Sequence, residues 1–599
     1  MSTRRYVIAP KTVALCALAL LLVAIGTTIA MPTADHYEMS LYTAYPTFFW
    51  VAVVGAQFAG CLAIIGSVRT RGNRSWIFGL STVFLSNVLL LLLPYLRGYE
   101  MYGRGDAMTH VGFVLDIISS GAVEDNIYPP THLLAMAVTD ATGAEVTTVI
   151  LLLPVVFWGL YFASMSYLLI TLFDDRSQIL FGLPFVILPV HASLGLRPYD
   201  VGIALVPLVL YLFVKSQRQP TPPVRAAFVV ILAAFLLYHP LTALFAIGVM
   251  AVYLLGRYTP RITARYATPT NFFSLSAAMM IAWYVNFAEV ILRFNRVYNR
   301  VFGVSDGNAP IGSYTETISE TSPALIDVVT VIVYQYGIEL VLFSLGFTFV
   351  GLALWLLYRR EYMLDTYTLM FIGILVVFSF GGFAFLLIDL EVSHDRPFKM
   401  AKIGGVILTG QLFYLLWRHK NWSNSRPINT GFGLSLAVVL LLIVSLATFS
   451  LFPSPQASTK NPQVTEMEME GVEWLTVHGN RSQGLMQFDI LYFRFYDAQY
   501  GRNTTKPFDG VAPPARFNYT DSRSLGRNIP EERYLTITRL GREYYPTAHA
   551  GYRANWRYTP EDFNQLERDT TVGRIYDSGD YDQYLVRLGE NVTASPGSA

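Results

Sequence analysis

The chain has 599 residues, of which 53% are hydrophobic and 14% charged, and its mean hydropathy is +0.41. Soluble proteins carry about 25% charged residues to cover their surface, so a soluble multidomain chain is excluded. The net charge of +1 excludes a polyanion binder working by bulk charge, and no nucleic-acid signature occurs; Cys16 and Cys61, both in apolar runs, leave no disulfide scaffold or cysteine metal site.

What remains is a polytopic α-helical membrane protein. Runs of about 20 apolar residues cross a bilayer as helices. Such runs fall near 12–31, 47–67, 76–96, 147–173, 179–196, 199–215, 226–240, 241–255, 272–292, 328–358, 364–390, 402–418 and 431–452. That predicts thirteen passages, the first retained as an anchor although Thr28-Ile29-Ala30 resembles a cleavage site. Cytoplasmic loops collect Lys and Arg. With the N-terminus inside, the cytoplasmic segments hold 18 basic residues, among them Arg69, Arg74, Arg257, Arg359, Arg360 and Arg418, against four acidic ones. The rest of residues 1–452 holds nine basic and 19 acidic residues. This asymmetry predicts a multi-pass protein of the cell membrane, with a cytoplasmic N-terminus and an extracytoplasmic C-terminal domain.

The first long outer loop, 97–146, mixes Asp106, His110, Asp116, Glu124, Asp125 and His132 with apolar residues. Asp106 and His110 are four apart, on one face of a helix that starts after Gly105. The apolar side of that helix, Val111 to Ile118, would lie on the membrane surface. Tyr128-Pro129-Pro130 breaks the chain before a second apolar helix near Thr131. A carboxylate in apolar surroundings at the bilayer edge is costly when unpaired, and can serve there as a general base. Asp106 is therefore the candidate catalytic residue with His110, and Asp116, Tyr128 and His132 are further candidates; charges that simply face water are the bland alternative.

Arg197-Pro198-Tyr199-Asp200 and Tyr238-His239-Pro240 sit on tight outer turns, with His239 a site candidate or a satisfied core histidine. The loop 293–327 is long enough for a lid and begins with Arg293, Arg296 and Arg300 at helical spacing. Between two late spans, 390–402 carries His394, Asp395, Arg396, Lys399 and Lys402. The three cations share a helical face and oppose the positive-inside trend, which an anionic ligand such as a lipid phosphate explains. Pairing with Asp389, Glu391 and Asp395 is the alternative. Arg197 joins Arg396, Lys399 and Lys402 as a candidate phosphate contact. No metal-ligand spacing stands out, so no cofactor is assigned; a divalent metal is possible but not indicated.

Residues 453–599 carry 16 basic and 19 acidic residues, a charge density of 24% against 11% before them. The segment 453–465 reads as a linker by its Pro, Ser and Thr content, and 466–599 as an extracytoplasmic α+β domain. A helix is predicted over Glu466 to Val477, a strand over Phe488 to Phe495, and a hairpin around Asp577-Ser578-Gly579-Asp580. Four glycosylation sequons, at Asn480, Asn503, Asn518 and Asn591, fall in this domain; Asn73 and Asn421 head two more on loops expected inside.

The sequence resembles archaeal members of the GT-C superfamily of membrane glycosyltransferases. The resemblance rests on Gly105-Asp106-Ala107-Met108-Thr109-His110, on Tyr128-Pro129-Pro130-Thr131-His132, on the multi-span body ending in an outer domain, and on the tail segments Val472-Glu473-Trp474-Leu475 and Ile575-Tyr576-Asp577-Ser578-Gly579. It implies a polyprenyl- or dolichyl-phosphate-linked sugar donor and a glycan, lipid or glycoprotein acceptor. It also implies an acidic residue in the first large outer loop that acts as catalytic base or metal ligand, which Asp106 matches. Two departures are that the loop follows the third span and that no W-W-D-Y-G motif occurs, which argues against whole-glycan transfer to asparagine. The alternatives are a translocator of lipid-linked glycans without catalytic activity, or a glycan polymerase or ligase.

Overall fold

The structure is a computed structural model. It describes residues 9–589 except 71–73, 124, 258–271, 303–323 (of which 311, 312 and 316 are described), 362, 389–391, 421–425, 521, 523, 551–552 and 554–555. Glu124, Asp389, Glu391, the middle of the 293–327 loop and the sequons at Asn73, Asn421 and Asn591 therefore lie outside the described residues.

Apolar composition dictates the body. Nine helices among the described residues are long and apolar enough to cross a bilayer, or ten if the bent pair Phe272–Tyr284 and Ala288–Arg300 counts as one span. This is a membrane-embedded protein. Four of the thirteen expected passages take another form, and prolines or turns explain each. The run at 179–196 yields only the helix Arg176–Val186, because Pro184, Pro189 and Pro198 deny the chain a continuous helical ladder. Residues 187–190 are instead buried non-helical backbone, tolerated at membrane depth only where protein supplies the hydrogen bonds. Asn87 donates to the Ile187 carbonyl at 2.6 Å, Lys402 to that of Val190 at 2.8 Å, and Trp158 to that of Ser193 at 2.7 Å. The expected pair at 226–255 forms two short helices, Pro222–Leu236 and Pro240–Gly256, separated at Tyr238-His239. The run at 272–292 breaks after Tyr284, where the chain bends by 113°.

The C-terminal domain carries a five-stranded sheet in the order β4-β3-β5-β7-β6. The strands are β3 (Gly484–Phe488), β4 (Gly510–Val511), β5 (Arg533–Thr538), β6 (Val572–Asp577) and β7 (Tyr581–Val586). β3 runs parallel to β4 and β5, while β7 pairs antiparallel with β5 and β6, closing the expected hairpin. The helix Glu466–His478 forms as read, with a Thr465/Glu468 capping box. The strand expected over Phe488 to Phe495 is corrected: β3 ends at Phe488, and Tyr492–Tyr500 is a helix. Its Tyr492, Phe495 and Tyr496 recur at i, i+3 and i+4 and bury one face, a helical period that outweighs the β-propensity of the aromatics.

The segment 453–465 does not hang free. Gln463–Val464 (β2) pairs antiparallel with Met101–Tyr102 (β1) of the first outer loop, and Asn461 is fully buried. Arg104 sits beneath this seam with its side chain 6% exposed. It donates to Glu468 at 2.6 Å and to the carbonyls of Gln463 at 2.9 Å and Asp489 at 3.2 Å. The helix Asp106–Ser120 lies against Tyr492–Tyr500 so closely that a Cβ on Gly112 would stand 2.7 Å from the Asp497 carbonyl oxygen. The domain is thus fastened to the same loop that carries the candidate catalytic residues.

Candidate functional site

The helix Asp106–Ser120 begins at Asp106 and stops at Gly121, whose φ of +68° supplies a left-handed cap; its Val111, Val114 and Ile117 are buried in protein, which corrects the expectation of an apolar side lying on the membrane surface. Asp106 is in the first turn, where the helix dipole favours a carboxylate. Its side chain is 66% exposed and meets Arg494 at 2.8 Å, so the expectation of an apolar, unpaired setting is corrected. Arg494 comes from the C-terminal helix that was misread as a strand. It also donates to the Thr109 hydroxyl at 2.7 Å, which in turn donates to Asp497 at 2.7 Å; Lys506 completes this row, 2.8 Å from Asp497. Asp116 accepts the backbone N–H of Asn503 at 3.1 Å and of Arg502 at 3.2 Å, which occupies it with a turn of the outer domain.

One helical turn below Asp106, His110 is buried. Its Nδ1 is 2.9 Å from Nε2 of His132, which lies fully buried in the helix Pro129–Thr142. His132 Nδ1 is held by the side-chain amide of Asn126, whose Oδ1 also accepts the Tyr128 N–H at 2.9 Å. Burial pushes His110 from the usual 6.5 down to about 4, with Arg494 and Arg197 acting the same way and Asp106 opposing. Burial, together with His110, also holds His132 well below the ordinary imidazole range. The two rings are a neutral, hydrogen-bonded pair near pH 7. Their facing nitrogens are engaged with each other, which leaves Nε2 of His110 outside the pair.

A row of rings links this pair to the second constellation. Tyr128 lies edge-on to His110 at 6.5 Å and stacks on His239 at 5.3 Å and 6°; Tyr199 meets the other side of His239 edge-on at 5.3 Å. His239 Nδ1 accepts the Leu241 N–H at 3.2 Å, so the ring caps the start of Pro240–Arg257 as well as stacking. Above Tyr199 lies the guanidinium of Arg396, 4.9 Å from the ring centroid, and the Tyr199 hydroxyl donates to the Arg396 carbonyl at 2.8 Å. A cation held over an aromatic face in this way gains about 1–2 kcal/mol.

The other predicted phosphate contacts are committed elsewhere. Lys399 donates to Asp200 at 2.7 Å, and Arg197 donates to the other Asp200 oxygen, also at 2.7 Å. Asp200 is only 3% exposed, so the two cations neutralise a buried carboxylate. Lys402 is corrected as a surface contact: its side chain is 6% exposed and it meets Glu339 at 2.7 Å besides the Val190 carbonyl. Pairing thus prevails for the lysines, with Asp200 and Glu339 as partners. His394 is buried, 3.1 Å from the Tyr336 hydroxyl, and Asp395 begins the helix Asp395–Lys420 within electrostatic reach of Arg197. Sequence reasoning brought out most of this group but missed Arg494, Asp497 and Asn126; Arg494 hid in an apparent strand, and Asn126 becomes visible only once His132 is placed beside it.

Among the described residues, no three His, Cys, Asp or Glu side chains converge in a way that could hold a metal ion. No protein-family model matches the chain, and no curated protein matches it significantly.

The arrangement can do two things chemically. It offers a partly exposed carboxylate, Asp106, oriented by a fixed guanidinium. It offers an anion contact, Arg396, on an aromatic shelf. Between them lies a row of neutral rings, of which His110, His239 and Tyr199 are buried and Tyr128 is partly exposed.

Proposed function

We propose that the protein is a membrane glycosyltransferase of GT-C type. It transfers a sugar from a polyprenyl- or dolichyl-phosphate donor to a glycan, lipid or protein acceptor on the extracytoplasmic side, with a cytoplasmic N-terminus. The observation that carries the reading is the row of rings joining Asp106 and His110 to Arg396 on one face. In this reading Asp106 takes the proton from an acceptor hydroxyl, whose oxygen attacks the anomeric carbon. The bond from that carbon to the phosphate oxygen breaks, and the lipid phosphate leaves with its charge met by Arg396. A single displacement inverts the anomeric centre. Arg494 holds the Asp106 carboxylate toward the acceptor.

The test is transfer of labelled sugar from a lipid phosphate by purified protein in bilayers. Asp106→Asn keeps the size of the side chain and removes the base, so the rate should fall at least about 100-fold. Transfer at the normal rate by Asp106→Asn would remove the core of the proposal. The Asp106–Arg494 ion pair favours one second reading, a translocator in which the pair is only a clasp. That reading expects no transfer by the unmodified protein, but movement of labelled lipid-linked glycan between leaflets.

A further inference from the structure

The chain bends by 113° after the apolar helix Phe272–Tyr284, and the next helix, Ala288–Phe302, carries two stripes. Phe287, Ile291, Phe294, Tyr298 and Phe302 recur at spacings of four and three, which makes one face. Glu289, Arg293, Arg296 and Arg300 do the same about half a turn away. The apolar face is not buried against the body: Ile291 is 43% exposed, Phe294 69%, Tyr298 54% and Phe302 74%. Such a helix in water would expose a continuous apolar strip, which soluble surfaces avoid.

The preceding helix fixes the direction. Phe272–Tyr284 packs beside the two short apolar helices, and the Tyr284 hydroxyl donates to the Leu236 carbonyl at 2.6 Å. Ile281 and Val285, 66% and 57% exposed, carry the lipid-facing apolar surface up to the bend. A turn of 113° from a helix running with the bundle leaves the next one roughly in the bilayer plane. We propose that Ala288–Phe302 is an in-plane helix seated in the headgroup layer on the face that carries the candidate site, its aromatic stripe in the acyl boundary and its arginine stripe among the phosphates. Lipid is the occupant because the strip is continuous with the membrane surface and the opposite stripe has the charge that phosphates complement.

The placement has a consequence for the site. Arg293, first of the basic stripe, lies within electrostatic reach of Tyr128 and His239. The helix therefore lies near the row of rings, on the face that carries the candidate site. This seating does not depend on the transferase reading and holds equally for a translocator.

Single cysteines at 291, 293, 294, 296, 298 and 300, in full-length protein with Cys16→Ser and the buried Cys61 kept, would each carry a nitroxide. The protein is studied in vesicles of phosphatidylcholine and phosphatidylglycerol. Labels at 291, 294 and 298 should collide with dissolved oxygen and be shielded from a water-soluble nickel chelate, and labels at 293, 296 and 300 should show the reverse, the ratio alternating with a period of about 3.6 residues. Equal access of nickel to all six positions overturns the proposal in favour of a solvated helix. Shielding of 291, 294 and 298 from both reagents overturns it in favour of cover by protein.

Discussion

Arg104 and Glu468 form the most consequential single contact between the membrane body and the C-terminal domain. Glu468 is fully buried, and Arg104 spans it, two carbonyls and the rings of Tyr37 and Phe495. Arg104→Met keeps most of the volume but strands a buried carboxylate, and Glu468→Gln strands a buried guanidinium. Removing one partner of a buried pair costs about 3–5 kcal/mol, because the survivor stays desolvated without its counter-charge. The double variant loses both charges and should cost less than the sum of the singles. Local opening of the helix Glu466–His478 can be followed by amide hydrogen exchange in the full-length protein. A cost of 3 kcal/mol accelerates exchange through that opening by about 100-fold, at tenfold per 1.4 kcal/mol. Single variants that exchange like the parent, or a double variant that adds the two single effects, would refute the argument that the seam is held by a desolvated pair.

Arg396 and Lys399 lie one helical turn apart, yet their removal should have opposite consequences. Arg396→Ala should weaken binding of a lipid phosphate, measured by retention of the radiolabelled lipid on detergent-purified protein, while leaving thermal stability nearly unchanged; Lys399→Ala should destabilise the protein by about 3 kcal/mol or more, because Asp200 is left buried with only Arg197. Acid should loosen the two outer-loop helices through His110, since the unfolded imidazole binds its proton near 6.5 and the folded one only near 4. The folded state therefore has its full stability above about pH 6.5 and loses about 1.4 kcal/mol per pH unit as the pH falls toward 4, below which the loss levels off. The charged or titratable groups facing this imidazole are Asp106, Arg494, Arg197, His132, Tyr128 and His239. His110→Asn should flatten that slope in thermal melts; a slope of unchanged size would assign the acid response to other groups.

Much of the fold was legible because it follows from one-dimensional signals. Apolar runs gave the spanning helices, Gly105 and Tyr128-Pro129-Pro130 bounded the two outer-loop helices, and Asp577-Ser578-Gly579-Asp580 announced the last hairpin. The misreadings came where tertiary partners decide. The segment 187–190 reads as apolar enough to span, but its prolines make it irregular, and it survives because Asn87 and Lys402 reach its carbonyls. Arg494 reads as an outward residue of a strand until the helix Tyr492–Tyr500 is laid against Asp106–Ser120. Asp200 was noted only as part of a turn, since nothing in the sequence says that a residue 199 positions away will bring Lys399 to it.

The charge sorting that first marked this chain as a membrane protein takes on a sharper meaning in three dimensions. Two of the cations expected on the cytoplasmic side are held locally: Arg176 donates to the Ser67 carbonyl at 3.1 Å and Arg218 meets Asp174 at 3.5 Å. On the expected outer side, the excess of carboxylates over cations is what makes most of the outer cations structural. Arg97 meets Glu38, Arg104 meets Glu468, Arg197 and Lys399 share Asp200, Lys402 meets Glu339, and Arg293 meets Glu289. Arg396 differs from these six: among the described residues its guanidinium rests on the Tyr199 ring and on no carboxylate. Held on a ring rather than on one of the described carboxylates, Arg396 is the outer cation on which the proposed phosphate contact rests. The ring that holds it is the end of the row that begins at His110, so the strongest argument for a binding site here lies in how one arginine is held, rather than in how many there are.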